Sequence, residues 1–155
     1  MQPLQPGAQA PEFTLHNQND EAISLANLRG KRVLVYFYPK AMTPGCTVQA
    51  CSLRDTKAEL EALNTVVLGI SPDPVKRLTK FIERDNLNFD LLSDEDHAVA
   101  DLFGVWGPKK FMGREYDGIH RLSFLIDEEG KVAHRFDKFK TKDHHDVVLN
   151  YLKEL

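Results

Sequence analysis

The run Val33-Leu34-Val35-Tyr36-Phe37-Tyr38 constrains this chain more than any other stretch, because six apolar or aromatic residues follow one another with no polar residue between them. A half-exposed strand alternates apolar and polar side chains, and a run this short cannot span a membrane, so the segment reads as a strand covered on both faces. A strand buried on both faces needs helices above and below its sheet, and the fold class is therefore α/β. The flanking pattern agrees. A helix-period segment over 44–64 leads into a second apolar run, Val66 to Ile70. Helix-period segments from Val75 to Arg84 and from Asp94 to Phe103 then bracket a short strand, Phe89 to Leu92. Strand–helix–strand–helix order predicts a parallel sheet. Leu122–Ile126 and Lys131–Phe136, joined across Asp127-Glu128-Glu129-Gly130, add an antiparallel hairpin.

Around this centre the smaller elements follow. Residues 1–11, with Pro3, Pro6 and Pro11, read as a loose arm. Phe13-Thr14-Leu15 and Ala22-Ile23-Ser24-Leu25 alternate on either side of the turn-rich Asn17-Gln18-Asn19-Asp20, which predicts an N-terminal β-hairpin. Leu25 to Leu28 is one helical turn stopped at Gly30. Trp106 to Gly118, rich in Gly, Pro and Lys, reads as a loop. Thr141 is expected to cap a last helix with Val147, Val148, Tyr151, Leu152 and Leu155 on its apolar side. The chain of 155 residues is long enough for one domain over 1–155 with its own core.

Both cysteines of the chain fall where the central strand gives way to a helix. In Thr43-Pro44-Gly45-Cys46, threonine is a favoured N-cap and proline a favoured first helical residue, since its missing N–H would have had no partner. Cys46 is then in the first turn, where free backbone N–H groups and the helix dipole favour an anion, and a thiolate should form more readily than in a free cysteine. The Thr43 hydroxyl is expected to accept from a backbone N–H and donate toward sulfur. Pro39 sets the turn out of the strand. Cys46, Ala50, Leu53, Leu60 and Leu63 form the apolar stripe of this helix.

Cys51 adds a geometric constraint. Residues five apart in an intact helix have Cα atoms roughly 8–9 Å apart and point about 140° apart around the axis. Disulfides bring Cα atoms within about 7 Å. The two cysteines can therefore bond only if the first turns unwind. The segment would be helical when both are reduced and locally open when they are joined.

The spacing Pro39-x-x-x-Thr43-x-x-Cys46 resembles the active-site motif of the peroxiredoxins. The full run from Tyr38 to Asp55, Leu91 to His97, Phe103 to Gly107 and Tyr116 to Asp127 are all similar to the bacterioferritin comigratory protein, or peroxiredoxin Q, subfamily, so the resemblance covers nearly the whole chain. It implies a thioredoxin-like fold, a central mixed sheet flanked by helices, here with the N-terminal hairpin as an extension. It also implies a thiol peroxidase that reduces hydrogen peroxide and organic hydroperoxides to water and alcohols. Cys46 would be the peroxidatic cysteine, oxidised to sulfenic acid. Cys51 would be the resolving cysteine, forming a redox-active Cys46–Cys51 disulfide that thioredoxin, or glutaredoxin, reduces. Thr43 and Arg121 would stabilise charge at the reacting atoms, and Pro39 would shield the sulfur from water. No metal, haem or flavin is implied. The sequence departs from many subfamily members, which carry acidic residues where it has Ala41 and Met42 and glutamate where it has Gln49.

Other features of the sequence bear on function and compartment. A net charge of −3 argues against a nucleic-acid or acidic-membrane surface. Met1 to Glu12 has no apolar core of a secretory signal, so the expected compartment is the cytoplasm. There a structural disulfide would be unusual. The C-x₄-C spacing disfavours a thioredoxin-type oxidoreductase, which needs C-x₂-C. His120 reads as a surface or hydrogen-bonded residue. His144 and His145 point about 100° apart on a helix and lack metal-ligand spacing. Lys109, Lys110, Lys138, Lys140 and Lys142 read as solvated charges. Phe103, Trp106 and Phe111 are candidates for core, active-site wall or partner surface. A one-cysteine peroxidase resolved by an external thiol and a redox-regulated chaperone-like binding module are the alternatives. An internal resolving cysteine removes the need for a second subunit, so a monomer is expected.

Overall fold

The computed structural model describes residues Met1–Leu155. Its main sheet has seven strands in the order β2-β1-β5-β4-β3-β8-β9, made by β1 (Thr14–Asn17), β2 (Ala22–Ser24), β3 (Arg32–Phe37), β4 (Thr65–Ser71), β5 (Asp90–Ser93), β8 (Ser123–Ile126) and β9 (Val132–Phe136). β3, β4 and β5 are parallel, and the β1–β2, β1–β5, β3–β8 and β8–β9 pairs are antiparallel. This is the mixed sheet expected, with the N-terminal hairpin at one edge. No helix is long and apolar enough to cross a membrane.

The unbroken apolar run is explained by the two cores. Leu34, Tyr36 and Tyr38 enter one, with Cys46, Ala50, Leu53, Leu60, Phe81, Val148 and Leu152. Val33, Val35 and Phe37 enter the other, with Leu68, Ile70, Phe103, Phe124 and the arm residue Ala10. Helices α1 (Pro44–Asp55), α2 (Lys57–Ala62), α3 (Val75–Asp85) and α5 (His144–Lys153) supply the first layer, and α4 (Ala98–Phe103) supplies the second. Alternation is absent from the sequence because both faces of β3 are dry.

Several boundaries differ from expectation. The segment 44–64 is two helices, because the Thr56 hydroxyl bonds back to the carbonyls of Ser52 and Leu53 at 3.0 and 3.3 Å and the backbone leaves helical geometry there. α4 starts late. Asp94 lies ahead of it, and its carboxylate accepts from the N–H groups of Val99 and Ala100 at 3.1 and 2.9 Å. Burial nonetheless pushes the Asp94 carboxyl up. α5 begins after Asp143, not Thr141. Trp106–Gly118 is not a loop. β6 (Trp106–Phe111) and β7 (Arg114–Ile119) form a separate two-stranded hairpin across Met112 and Gly113, both at positive φ. The Gly, Pro and Lys content hid an arm that is mostly solvated and needs no apolar alternation. Its tip is bare, with Phe111 at 65% and Met112 at 88% exposure. Phe103 is core, and Trp106 stacks on His97 at 3.8 Å.

Candidate active site

The loop from β3 to α1 lies at the C-terminal ends of the parallel strands, the usual place for a site in an open α/β sheet. Ala41 anchors it. The Ala41 N–H donates to Asp73 Oδ2 at 2.7 Å, and its carbonyl accepts from Arg77 Nη2 at 2.8 Å. Asp73 is itself buried, bonded to the Ser71 hydroxyl at 2.7 Å and paired with Arg77 Nε at 3.2 Å. Asp73 and Arg77 were not singled out from the sequence, although their i,i+4 spacing on one helical edge was a usable signal. Met42 follows at φ 65°, and Pro44 takes the first helical position of α1.

Cys46 sits in the first turn of α1 with 1% of its surface exposed. Both terminal nitrogens of Arg121, Nη1 and Nη2, lie 3.4 Å from its Sγ. Arg121 comes from the segment just before β8, 75 positions away in sequence. Gly45 lies beside this contact, and a Cβ there would meet Arg121 Nη2 at 3.6 Å, an ordinary van der Waals distance, so the approach of the guanidinium does not depend on glycine. The guanidinium is held in turn by Gln49, whose Oε1 accepts from Nη1 at 2.7 Å. A guanidinium only donates, so the amide must present its oxygen, and its Nε2 is left buried without a partner. Gln49 is fully buried, one turn on from Cys46, and the i,i+3 spacing marks it as a neighbour. With glutamine here, Arg121 keeps its net charge beside the sulfur; a glutamate would neutralise it.

Thr43 behaves differently from expectation. Its hydroxyl donates to the Lys40 carbonyl at 2.7 Å and makes no side-chain cap bond; the backbone carbonyl of Thr43 instead accepts from the Thr47 N–H at 2.9 Å. The threonine thus tightens the loop before the helix. Pro39 is half-buried where the chain leaves Tyr38. Cys51 is half-buried farther along α1, and both cysteines are free thiols. Burial pushes the Cys51 thiol up, Arg54 opposes the shift, and Asp85 and Asp55 add to it.

Two residues read as bland gain a place near the site. Lys109, expected to be solvated, turns inward from β6 and donates to the Ile119 carbonyl at 2.7 Å. Its ammonium is pushed down by burial and by Arg121, and drawn back up by Cys46. His144 is buried beneath β8, its Nε2 2.7 Å from Ser123 Oγ, and its imidazole is pushed down to about 3 by burial, with His145 and Arg121 adding. His120 bonds the Pro108 carbonyl at 2.9 Å and ties the hairpin arm to the body.

A buried sulfur under a forked cation, at an uncapped helix start, suits a nucleophile that attacks a small electrophile. Comparison with known proteins finds a family match. The family model described as AhpC/TSA family matches residues 6–135. The chain is 62% identical over 154 residues to Peroxiredoxin Bcp of Escherichia coli, covering 99% of each. It is 44% identical over 149 residues to Peroxiredoxin Bcp of Bacillus subtilis, covering 96% of this chain and 95% of that one. Among solved structures it superposes on the Xanthomonas campestris bacterioferritin comigratory protein, described for its alkyl peroxide reduction activity, with a TM-score of 0.89 at 30% identity over 97% of this chain and 98% of that one. It also matches Xanthomonas campestris Peroxiredoxin Q with a TM-score of 0.86 at 33% identity over 92% of this chain and 90% of that one.

Proposed function

Because the chain belongs to the AhpC/TSA family and is a thiol peroxidase of the peroxiredoxin type, we propose that Cys46 is the peroxidatic cysteine and Cys51 the resolving one. The observation that carries this is the pair of 3.4 Å contacts from Arg121 to the Cys46 sulfur. Cys46 Sγ attacks the terminal peroxide oxygen in line with the O–O bond, giving a sulfenic acid and water or an alcohol. Arg121, a rigid donor fork, meets the charge that shifts across the two oxygens, and the free N–H groups at the start of α1 add to it. Thr43 and Pro39 shape the loop that presents the sulfur. The first turns of α1 then open, Cys51 attacks the sulfenic acid, and a Cys46–Cys51 disulfide forms with loss of water.

Hydrogen peroxide and alkyl hydroperoxides are the substrates in this reading, the latter supported by the activity described for the Xanthomonas campestris relative. A dithiol protein, thioredoxin or glutaredoxin, reduces the disulfide. The protein acts as a monomer, since both cysteines belong to one chain, and in the cytoplasm, where free thiols persist. The test is peroxide consumption with a thioredoxin system for the native chain, Cys46→Ser and Cys51→Ser, with mass spectrometry of the thiols. Cys46→Ser should be inactive. Cys51→Ser should accumulate sulfenic acid and lose thioredoxin turnover. Normal turnover by Cys51→Ser would establish the one-cysteine route, and full activity of Cys46→Ser would refute the assignment of the nucleophile.

A further inference from the structure

The first turns of α1 are held shut from outside. Thr43 supplies no side-chain cap. Instead Arg84, at the end of α3, donates from Nη2 to Thr47 Oγ1 at 2.7 Å, and its Nη1 lies 3.5 Å from the Met42 carbonyl. One side chain thus grips the chain on both sides of Cys46. Asp85 orients the guanidinium through contacts of 2.9 Å, and the Phe81 ring lies 5.8 Å beneath it. The near end of the loop is fixed separately, with Ala41 bonded through both its N–H and its carbonyl to Asp73 and Arg77. Between the two grips lies Met42 at φ 65°, a left-handed conformation unfavourable for a residue with a side chain. The geometry is that of a fixed pivot at Ala41, a strained residue beside it, and an exposed cation closing the far side.

We propose that Arg84, acting through Thr47, is a positioning residue that latches the start of α1 and so sets how the Cys46 sulfenic acid divides between two fates. The proposal rests on the assignment of Cys46 and Cys51 above. In one fate the latch opens and the Cys51 sulfur attacks Cys46 Sγ. An S–S bond forms, the S–O bond breaks, and the departing hydroxide takes the Cys51 proton as water. In the other the latch stays shut and a second hydroperoxide oxidises the sulfenic acid to sulfinic acid, itself reduced to water or alcohol. The latch favours a firm, peroxide-ready site and delays resolution. Because the guanidinium is exposed, its contacts should shift the opening equilibrium about two- to fivefold.

The test uses the full chain with hydrogen peroxide as probe, and reads the ratio of disulfide to sulfinic acid by intact-mass spectrometry as peroxide is raised. That ratio compares two fates of the same sulfenic acid and does not depend on how fast it forms. Arg84→Ala and Thr47→Val should each raise the ratio about two- to fivefold. The double variant should rise no further than either single one, and Thr47→Ser, which keeps the hydroxyl, should match the native chain. Unchanged ratios, or effects of Arg84→Ala and Thr47→Val that multiply, would overturn the latch and leave the cysteine assignments standing. Absence of any Cys46–Cys51 disulfide in the native chain would overturn those assignments and the latch with them.

Discussion

Acidification should weaken this fold through one histidine. His144 is wholly buried against Tyr36 and Phe139, and its imidazole is pushed from 6.5 to about 3 by burial, with His145 and Arg121 opposing protonation and Asp143 weakly favouring it. In the unfolded chain the same ring takes a proton near 6.5. Between these values the unfolded state binds the extra proton, so stability is full above about pH 6.5 and falls as the pH drops toward 3. For a single group the loss is RT ln(1 + 10^(6.5 − pH)), about 0.8 kcal/mol at pH 6 and about 2 kcal/mol at pH 5. In a chain of 155 residues that corresponds to a drop in melting temperature of about 4–8 °C at pH 5. Other groups titrate in the same range, so the measurement is a difference. Urea unfolding of the native chain and of His144→Phe is followed at pH 7.5, 6 and 5. The variant will be less stable at pH 7.5, because Ser123 loses its partner, yet its stability should fall with acid by about 2 kcal/mol less than that of the native chain. Parallel pH dependences for the two chains, or an NMR titration of the His144 ring in the folded protein with a midpoint near 6.5, would refute the reasoning.

Two further outcomes follow from contacts at the site and behind it. Arg121→Lys replaces a planar fork by a point charge and cannot keep both sulfur contacts together with the Gln49 bond; peroxidase kcat/KM should fall about 100-fold while circular dichroism is unchanged, and a fall of less than about threefold would remove Arg121 from the mechanism. Gly69→Ala would set a Cβ 2.8 Å from Tyr36 Cζ and 2.9 Å from Leu91 Cδ2, both buried; chemical denaturation should show a loss of about 1–3 kcal/mol, and a variant as stable as the native chain would show that this core can yield.

What the sequence determined by itself is what short spacings can encode. The apolar run of β3 dictated two covered faces, because a strand with no polar face cannot border water. The Thr43-Pro44-Gly45-Cys46 order dictated a helix start with sulfur in its first turn, and the spacing to Cys51 dictated that any bond between them needs an open helix. These rest on helix and strand periodicity, which acts over a few residues. What the tertiary structure alone decided is which polar groups lose water together. Arg121 reaches the sulfur, and Gln49 reaches Arg121, across 75 and 72 positions of chain. The anchoring of Ala41 by Asp73 and the grip of Arg84 on Thr47 likewise depend on how the β4–α3 turn and α3 approach the start of α1, and the inward turn of Lys109 depends on the pairing of β6 with β7. The local sequences of Lys109 and Arg84 look like those of any solvated cation. Even Thr43, correctly placed at the helix boundary, gave its hydroxyl to the Lys40 carbonyl, because the strained turn at Met42 brought that acceptor within reach.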